Sequence, residues 1–145
     1  MQKVIIRQAI ASDIPQMSEI FRNDLGYAEC TLEIVQNQFA VLDLTREAVF
    51  VAECDGRIAG VIHVEKYNVL YFPPMANLLG IAVASDFRRQ GIGTTLLKQA
   101  EAWARQNGIT CMRLNSGSTR TQAHDFYRTQ GYADEKTQLR FIKNL

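Results

Sequence analysis

The spacing of the apolar residues changes twice between residues 78 and 114, and this change constrains the fold more than any other feature. Residues 78–83 are almost wholly apolar, as in a strand that is covered on both faces. From Gly91 the apolar residues recur about every 3.6 positions and form one stripe, which ends before Asn107-Gly108. Residues 109–114 are predicted to form another buried strand. The pattern therefore predicts a right-handed βαβ crossover with two parallel strands.

Weaker patterns on both sides of this unit predict one α/β domain that covers residues 1–145. Two β-type runs flank Asp55-Gly56, a strong hairpin signal, so an antiparallel meander is expected to lead into the strand at 78–83. The predicted order is β-α-α-β-β-β-α-β-α-β around a mixed sheet. The predicted strands cover residues 4–6, 49–52, 58–64, 78–83, 109–114 and 138–143, and the predicted helices begin near Asp13, Thr31, Gly91 and Ala123.

The composition argues against several classes of protein. The chain of 145 residues can bury one core, and its net charge of +1 gives no reason to expect a nucleic acid or a membrane as a partner. No apolar run is long enough for a signal peptide or a membrane span. Cys30, Cys54 and Cys111 are too far apart for a disulfide framework or a zinc site. We therefore expect Cys54 and Cys111 to be core residues and the protein to be cytoplasmic.

Two arginines and two glycines lie where the first strand of the crossover passes into its helix. A helix N-terminus has unpaired N–H groups and about half a positive charge, and glycines let its backbone approach an anion closely. Arg88, Arg89, Gly91 and Gly93 therefore fit a phosphate or pyrophosphate cradle, or else a plain helix start with solubilising arginines. The P-loop string is absent, and Leu96 stands where the dinucleotide fingerprint has its third glycine.

Two motifs in this order resemble the GNAT superfamily of N-acetyltransferases. Residues 88–93 (RRQGIG) match its [Gln/Arg]-x-x-Gly-x-[Gly/Ala] motif, and residues 79–87 resemble the fourth strand that leads into it. Residues 123–132 (AHDFYRTQGY) are similar to its second motif, Ala-x-x-Phe-Tyr-x-x-x-Gly-[Phe/Tyr]. One helix and one strand separate the two motifs, as in the family, and the order of elements matches over nearly the whole chain.

The resemblance implies an acyltransferase that moves an acetyl group from acetyl-CoA directly to a primary amine in a ternary complex, without a metal. It implies that the fourth and fifth strands splay apart around the donor, whose pantetheine arm pairs with the backbone near Ile81 and Val83. Tyr127 would be the general acid that protonates the departing thiolate, or else a core aromatic residue beside Phe126. The implied donor-binding residues are Ile81, Ala82, Val83, Arg88, Arg89, Gln90, Gly91, Ile92, Gly93, Thr94, Asn115, Ala123, Phe126 and Tyr127.

The sequence departs from the family's pattern at two positions. Asn77 stands where several members have a glutamate base, and an asparagine cannot accept a proton at neutral pH. A base would then come from Glu65, His63 or Glu29, whose plainer interpretation is a surface or structural role. Arg120 stands where the family often has an asparagine, which removes one expected pantetheine contact.

The acceptor amine is left open, because the loops at residues 24–31 and 67–76, which are expected to bind it, have no distinctive pattern. A small metabolite, a polyamine, an aminoglycoside-like drug, an amino acid and a protein or peptide amine all fit. Since Asn77 replaces the glutamate, a non-catalytic acyl-CoA-binding or regulatory module is the alternative function. A homodimer is expected only by analogy with relatives that pair.

Overall fold

The computed structural model of the chain describes residues 3–145. These residues form two compact units, of which the first ends at Leu114 and the second begins at Asn115. The strands of the first unit are β1 (Val4–Gln8), β2 (Glu47–Cys54), β3 (Arg57–Tyr67), β4 (Met75–Val83) and β5 (Met112–Leu114). Its helices are α1 (Ile14–Asn23), α2 (Leu32–Ala40) and α3 (Ile92–Gln106), and the second unit contains α4 (Thr121–Thr129).

The five strands lie side by side in chain order and form one mixed sheet. Strands β1 to β4 pair antiparallel, and β5 pairs parallel to β4, so both the meander and the parallel crossover are confirmed. Asp55 and Gly56 connect β2 to β3 with φ angles of 51° and 79°. Positive φ at both central residues is what a tight hairpin turn requires, which explains the turn signal in the sequence.

Helices cover both faces of the sheet. Met17 and Ile20 of α1 belong to one buried cluster with Val51 and Val61 of the sheet. On the opposite face α3 packs very closely on β3, because a Cβ added to Gly60 would lie 2.9 Å from Leu96 Cδ1. Since side chains alternate along a strand, Gly60 and Val61 face these two different layers.

The prediction of a last strand at residues 138–143 is wrong. Residues 138–143 have no strand conformation, and the side chains of Leu139 and Phe141 are 80% and 89% exposed. Their β-type composition is a local preference, whereas a strand forms only where a neighbouring strand supplies hydrogen bonds. No strand of residues 3–145 pairs with this segment.

The fifth strand is shorter than predicted, since it covers Met112–Leu114 instead of residues 109–114. Cys54 is fully buried as expected, but the expectation of a buried Cys111 is wrong, because that side chain is exposed. The carbonyl of Cys111 accepts a hydrogen bond of 2.9 Å from the N–H of Ala76. This residue thus contributes its backbone to the edge of the sheet while its side chain stays outside the core.

Candidate active site

The turn between β4 and α3 has a backbone suited to an anion. Arg89 and Gly91 both have left-handed conformations, with φ angles of 64° and 77°, and α3 begins at Ile92. Turns of this kind direct successive N–H groups into one concavity. Within residues 3–145 the N–H groups of Gln90, Gly91, Ile92 and Gly93 have no backbone acceptor. The segment predicted to be a cradle is therefore a turn whose amides have no backbone acceptor, and binding of an anion there stays a prediction.

Arg88, the first residue of the predicted cradle, is tied to the end of α1. Its guanidinium donates to Oδ1 of Asp24 over 3.2 Å, and its Nε donates to the carbonyl of Val83 over 3.4 Å. The same carboxylate oxygen of Asp24 accepts a bond of 3.1 Å from the N–H of Ser85. Sequence reasoning missed this role of Asp24, because an aspartate at a helix end looks like an ordinary stop signal.

The edge of β4 beyond Leu78 is open. Strand β5 pairs only with Ala76, Asn77 and Leu78, and within residues 3–145 no strand pairs with residues 79–83 on that side. The splay predicted between the fourth and fifth strands thus appears as a pairing of only three residues.

A bulge at Leu79 decides which residues present their backbone to this edge. His63 lies opposite Gly80 and Val64 lies opposite Leu78. Leu79 is therefore an extra residue of β4 with no opposite residue on β3. The N–H of Ala84 donates to the carbonyl of Ala59 in β3 over 2.8 Å. Because backbone groups alternate in direction, those of Ala82 also face β3.

The backbone groups of Ile81 and Val83 therefore point to the open edge. These are the two residues at which the family resemblance implies pairing with the pantetheine arm. The side chain of Ala82, between them, is buried among the residues that α1 and α2 cover.

Three polar side chains lie in one row across β3, β4 and β5. Glu65 is paired with Asn77, and Asn77 is paired with Arg113. The Asn77 amide nitrogen donates to Glu65 Oε2 over 2.7 Å, and Arg113 donates to Asn77 Oδ1 over 2.8 Å. The Arg113 guanidinium also lies over the ring of Tyr67, 4.2 Å from its centroid. Asn77, which stands at the position of the family's glutamate, thus bridges a carboxylate and a guanidinium.

The other two candidate bases have different surroundings. His63 Nε2 lies 2.7 Å from Glu47 Oε1, so these two side chains form a pair of their own. Glu29 lies in the loop after α1, where it lines a shallow depression of about 520 Å³. The lining is otherwise largely apolar and includes Phe21, Leu25 and Tyr27. Of the three candidates, Glu65 is the one in contact with Asn77.

The predicted acceptor loop at residues 67–76 exposes several apolar side chains. Leu70, Tyr71 and Phe72 are all exposed, and the rings of Tyr71 and Phe72 are 5.3 Å apart. Arg113 had no predicted role, although a charged residue in a segment predicted to be a buried strand is a signal that could have identified it.

In the second unit, Tyr127 lies on α4 among aromatic side chains. Its ring centroid is 5.4 Å from that of Phe126 and 6.0 Å from that of Tyr132. Burial raises the pKa of the Tyr127 hydroxyl, and the positive charge of Arg120 opposes that shift less strongly. The phenol is therefore protonated at neutral pH.

The remaining predicted residues of this unit are Asn115, which directly follows β5, and Ala123, which lies on α4 and is half-buried. His124, expected at the surface, is half-buried, with Nε2 2.9 Å from the carbonyl oxygen of Gly117. No three His, Cys, Asp or Glu side chains in residues 3–145 gather in a group that could hold a metal ion. None of the helices in the same residues is both long and apolar enough to span a membrane.

Comparison with known proteins identifies similar sequences. Residues 14–132 match the model of the "Acetyltransferase (GNAT) family". An aminoalkylphosphonate N-acetyltransferase of Salmonella typhimurium is 30% identical over 132 residues, which are 88% of this chain and 79% of that protein. An aminoglycoside N(6')-acetyltransferase type 1 of Acinetobacter baumannii is 31% identical over 84 residues. The matched part covers 58% of this chain and 58% of the A. baumannii protein, so it spans little more than half of that relative's length.

Solved structures with the same fold include two with high TM-scores. A transcriptional regulator from Bacillus halodurans superposes with a TM-score of 0.87 at 23% identity and covers 97% of this chain and 100% of its own. An aminoglycoside N-acetyltransferase in complex with CoA superposes with a TM-score of 0.86 at 17% identity, over 100% of this chain and 97% of its own. At such identities the likeness shows the fold alone.

Proposed function

Because this chain belongs to the acetyltransferase (GNAT) family, we propose that it is an N-acetyltransferase that transfers an acetyl group from acetyl-CoA to a primary amine. The amine nitrogen attacks the thioester carbon in a ternary complex, the new C–N bond replaces the C–S bond, and CoA leaves as a thiol. One domain over residues 1–145 carries the whole reaction. The observation that carries the proposal is the open edge of β4, which leads directly into the left-handed turn before α3.

The donor binds along this edge and at this turn. The amides from Arg89 to Thr94 hold the pyrophosphate, whose negative charge the N-terminus of α3 favours. The amide groups of the pantetheine arm pair with the backbone of Ile81 and Val83 as an added strand would. Support comes from the geometry, since these two residues direct their backbone groups to the side that β5 leaves open.

Arg88 adds charge beside the pyrophosphate while its guanidinium stays anchored on Asp24. Asn115 after β5, and Ala123 and Phe126 of the second motif, also contribute to donor binding. These assignments follow from the family's motifs, and each can be tested by measuring acetyl-CoA affinity in the substituted protein.

Tyr127 is the general acid of this mechanism. A thiolate must leave the tetrahedral adduct, and a nearby hydroxyl can give it a proton as the C–S bond breaks. Burial raises the pKa of Tyr127, so its phenol still carries that proton at neutral pH.

The acceptor is a small amine, and the reaction needs no metal. Support comes from the names of two relatives, which act on aminoglycosides and on aminoalkylphosphonates. The net charge of +1 supports neither a polyanionic partner nor a membrane surface, and a cytoplasmic location fits the use of acetyl-CoA. A homodimer is part of the proposal only by analogy with other members of the family.

Two measurements on the purified protein test the proposal. Calorimetry with acetyl-CoA measures donor binding, and release of free CoA thiol is followed with aminoglycosides, aminoalkylphosphonates, polyamines and amino acids. We expect donor binding and CoA release with at least one amine. Donor binding without CoA release from any amine would instead support the acyl-CoA-binding module, and absence of donor binding would reject both functions.

A further inference from the structure

We infer that the Glu65 carboxylate accepts the proton of the incoming ammonium group and that Asn77 is its positioning residue. This inference rests on the N-acetyltransferase activity proposed above. It assigns the base that the family's pattern leaves open, since Asn77 itself has no acidic or basic group.

The row of Glu65, Asn77 and Arg113 lies near the point that the acetyl group of the donor would reach. In the proposed donor site the pyrophosphate lies beyond Val83, so the pantetheine arm runs back along β4 towards Leu79. The thioester then arrives where β4 and β5 come together, since their pairing ends at Leu78 and Leu114. Asn77 precedes that last pair by one residue, and Glu65 is its partner on β3. An amine that attacks the thioester therefore approaches Asn77 and its partner Glu65.

The hydrogen bonds of the row orient the Glu65 carboxylate. A guanidinium can only donate and a carboxylate can only accept, so Arg113 fixes the Asn77 oxygen on its own side and turns the amide nitrogen towards Glu65. Because the amide is neutral, it orients the carboxylate without cancelling its charge. The bond from Asn77 occupies one acceptor position of Glu65, and a carboxylate has about four.

The neighbouring charges single out Glu65. The titratable or charged groups around it are Glu47 opposite on β2, His63 and Tyr67 on its own strand and Arg113 beyond Asn77 on β5. Glu47 already pairs with His63 and also accepts a bond from the N–H of Asp43. Within residues 3–145 Glu65 forms no ion pair. An acceptor ammonium group would therefore be its complementary charge.

The proton balance of the step is simple. The ammonium gives one proton to Glu65, directly or through one water molecule, and the neutral amine then attacks the thioester carbon. As the C–N bond forms and the C–S bond breaks, the thiolate takes up the proton of Tyr127, the general acid proposed above. The second proton of the nitrogen then passes through solvent and restores the Tyr127 hydroxyl. Glu65 finally releases its proton to solvent, so each turnover gives one amide, one CoA thiol and one proton.

The variant Glu65→Gln tests the inference, because it keeps the shape and removes the proton acceptor. We measure the pH dependence of kcat/KM with an aminoalkylphosphonate or aminoglycoside that the wild-type protein acetylates, and acetyl-CoA affinity by calorimetry. At neutral pH kcat should fall about 100-fold, while donor affinity stays within about twofold. The loss should shrink as the pH rises and the amine arrives already deprotonated.

Glu47→Gln is the matched control, since Glu47 lies on the same face one strand away. It should keep the wild-type pH profile. Asn77→Ala should lower kcat without weakening donor binding, and the double variant with Glu65→Gln should be no slower than Glu65→Gln alone, because both act through one group.

An unchanged rate in Glu65→Gln, an equal loss in Glu47→Gln, or a loss that persists at high pH would each overturn the inference. None of these outcomes affects the proposed function, which fails only if the wild-type protein releases no CoA with any amine.

Discussion

The Arg88 guanidinium lies 3.2 Å from Oδ1 of Asp24, which joins the turn before α3 to the end of α1. The Asp24 side chain is only 10% exposed and also accepts the N–H of Ser85, so two residues of the connection from β4 to α3 depend on one carboxylate. This contact links the proposed donor site to the start of the loop at residues 24–31, which is expected to bind the acceptor.

Asp24→Asn should weaken acetyl-CoA binding about fivefold, because the cradle loses the charge that holds Arg88 while the amide oxygen still accepts the N–H of Ser85. Calorimetry measures the effect. Asp86→Asn is the control, since it removes an exposed ion pair with Arg57 from the same connection. The prediction is wrong if both variants weaken binding equally, or if Asp24→Asn binds the donor more tightly.

Gly91→Val should weaken acetyl-CoA binding at least about tenfold, because a side chain at a φ of 77° strains the turn and occupies the space above its amides. Gly108→Val makes the same change at a φ of 74° at the other end of α3, where the space is also open. Both variants should lose similar thermal stability, and only Gly91→Val should lose donor affinity. Equal donor affinity in the two variants would argue against the cradle.

Tyr127→Phe should lower kcat about 100-fold and leave acetyl-CoA binding intact, because only the proton of the phenol is removed. Single-turnover measurements of CoA release distinguish chemistry from product release. Tyr132→Phe is the control, since the family's second motif accepts either ring at that position. Full turnover in Tyr127→Phe would remove its role as the acid.

In the proposed mechanism, the raised pKa of Tyr127 would also set the alkaline limit of the reaction. The tyrosine hydroxyl titrates at about 10 in an unfolded chain, and burial moves this to higher pH in the folded protein. The neutral hydroxyl of Tyr127 therefore makes its full contribution to the free energy of unfolding below pH about 10. That contribution is lost as the pH rises through the pKa that Tyr127 has in the folded protein. Turnover that depends on this proton should stay constant to at least that pH, which a pH profile of kcat can check.

Asp13→Asn should lower the free energy of unfolding by about 2 kcal/mol near neutral pH, because the buried carboxylate accepts bonds from Arg7 of 2.7 and 2.9 Å and from the N–H of Ile10. The bond from Arg7 is the main reason that the pKa of Asp13 lies below its usual value. The stabilisation is thus fully present above the unfolded pKa and is lost as the pH falls through the folded one. Urea titrations at pH 7 and at strongly acidic pH should show the difference from the wild type shrinking.

Asp125→Asn is the control for this prediction, because the Asp125 side chain is 79% exposed and its ion pair with Arg128 lies at the surface. Its effect on stability should be below about 0.5 kcal/mol at either pH. A loss in Asp13→Asn that is independent of pH would mean that packing, not charge, explains the cost.

The crossover and the hairpin could be predicted from the sequence because each depends on neighbouring residues. The apolar stripe of α3 and the turn at Asp55 and Gly56 are local patterns, and the family motifs mark the turn before α3. The segment at residues 138–143 has an equally local β-type pattern, but no strand in the described part of the chain pairs with it, and the prediction therefore failed.

The row of Glu65, Asn77 and Arg113 could not be predicted, because it depends on the register of three strands. Glu65 and Asn77 are 12 positions apart, and Asn77 and Arg113 are 36 apart. The bulge at Leu79 also changes which residues lie opposite each other on β3 and β4. No periodicity in a single segment contains that information.

Because of the extra residue at Leu79, even-numbered residues direct their backbone groups away from β3 before the bulge, and odd-numbered residues do so after it. Before it, Ala76 directs its backbone to β5, and after it the odd-numbered Ile81 and Val83 do so towards the open edge. A donor that pairs with backbone groups depends on the number of residues in β4 and not on their side chains. Evolutionary constraint on this stretch should therefore act on its length. Apolar residues there can be exchanged, whereas deletion of one residue would turn the backbone groups at the open edge towards β3.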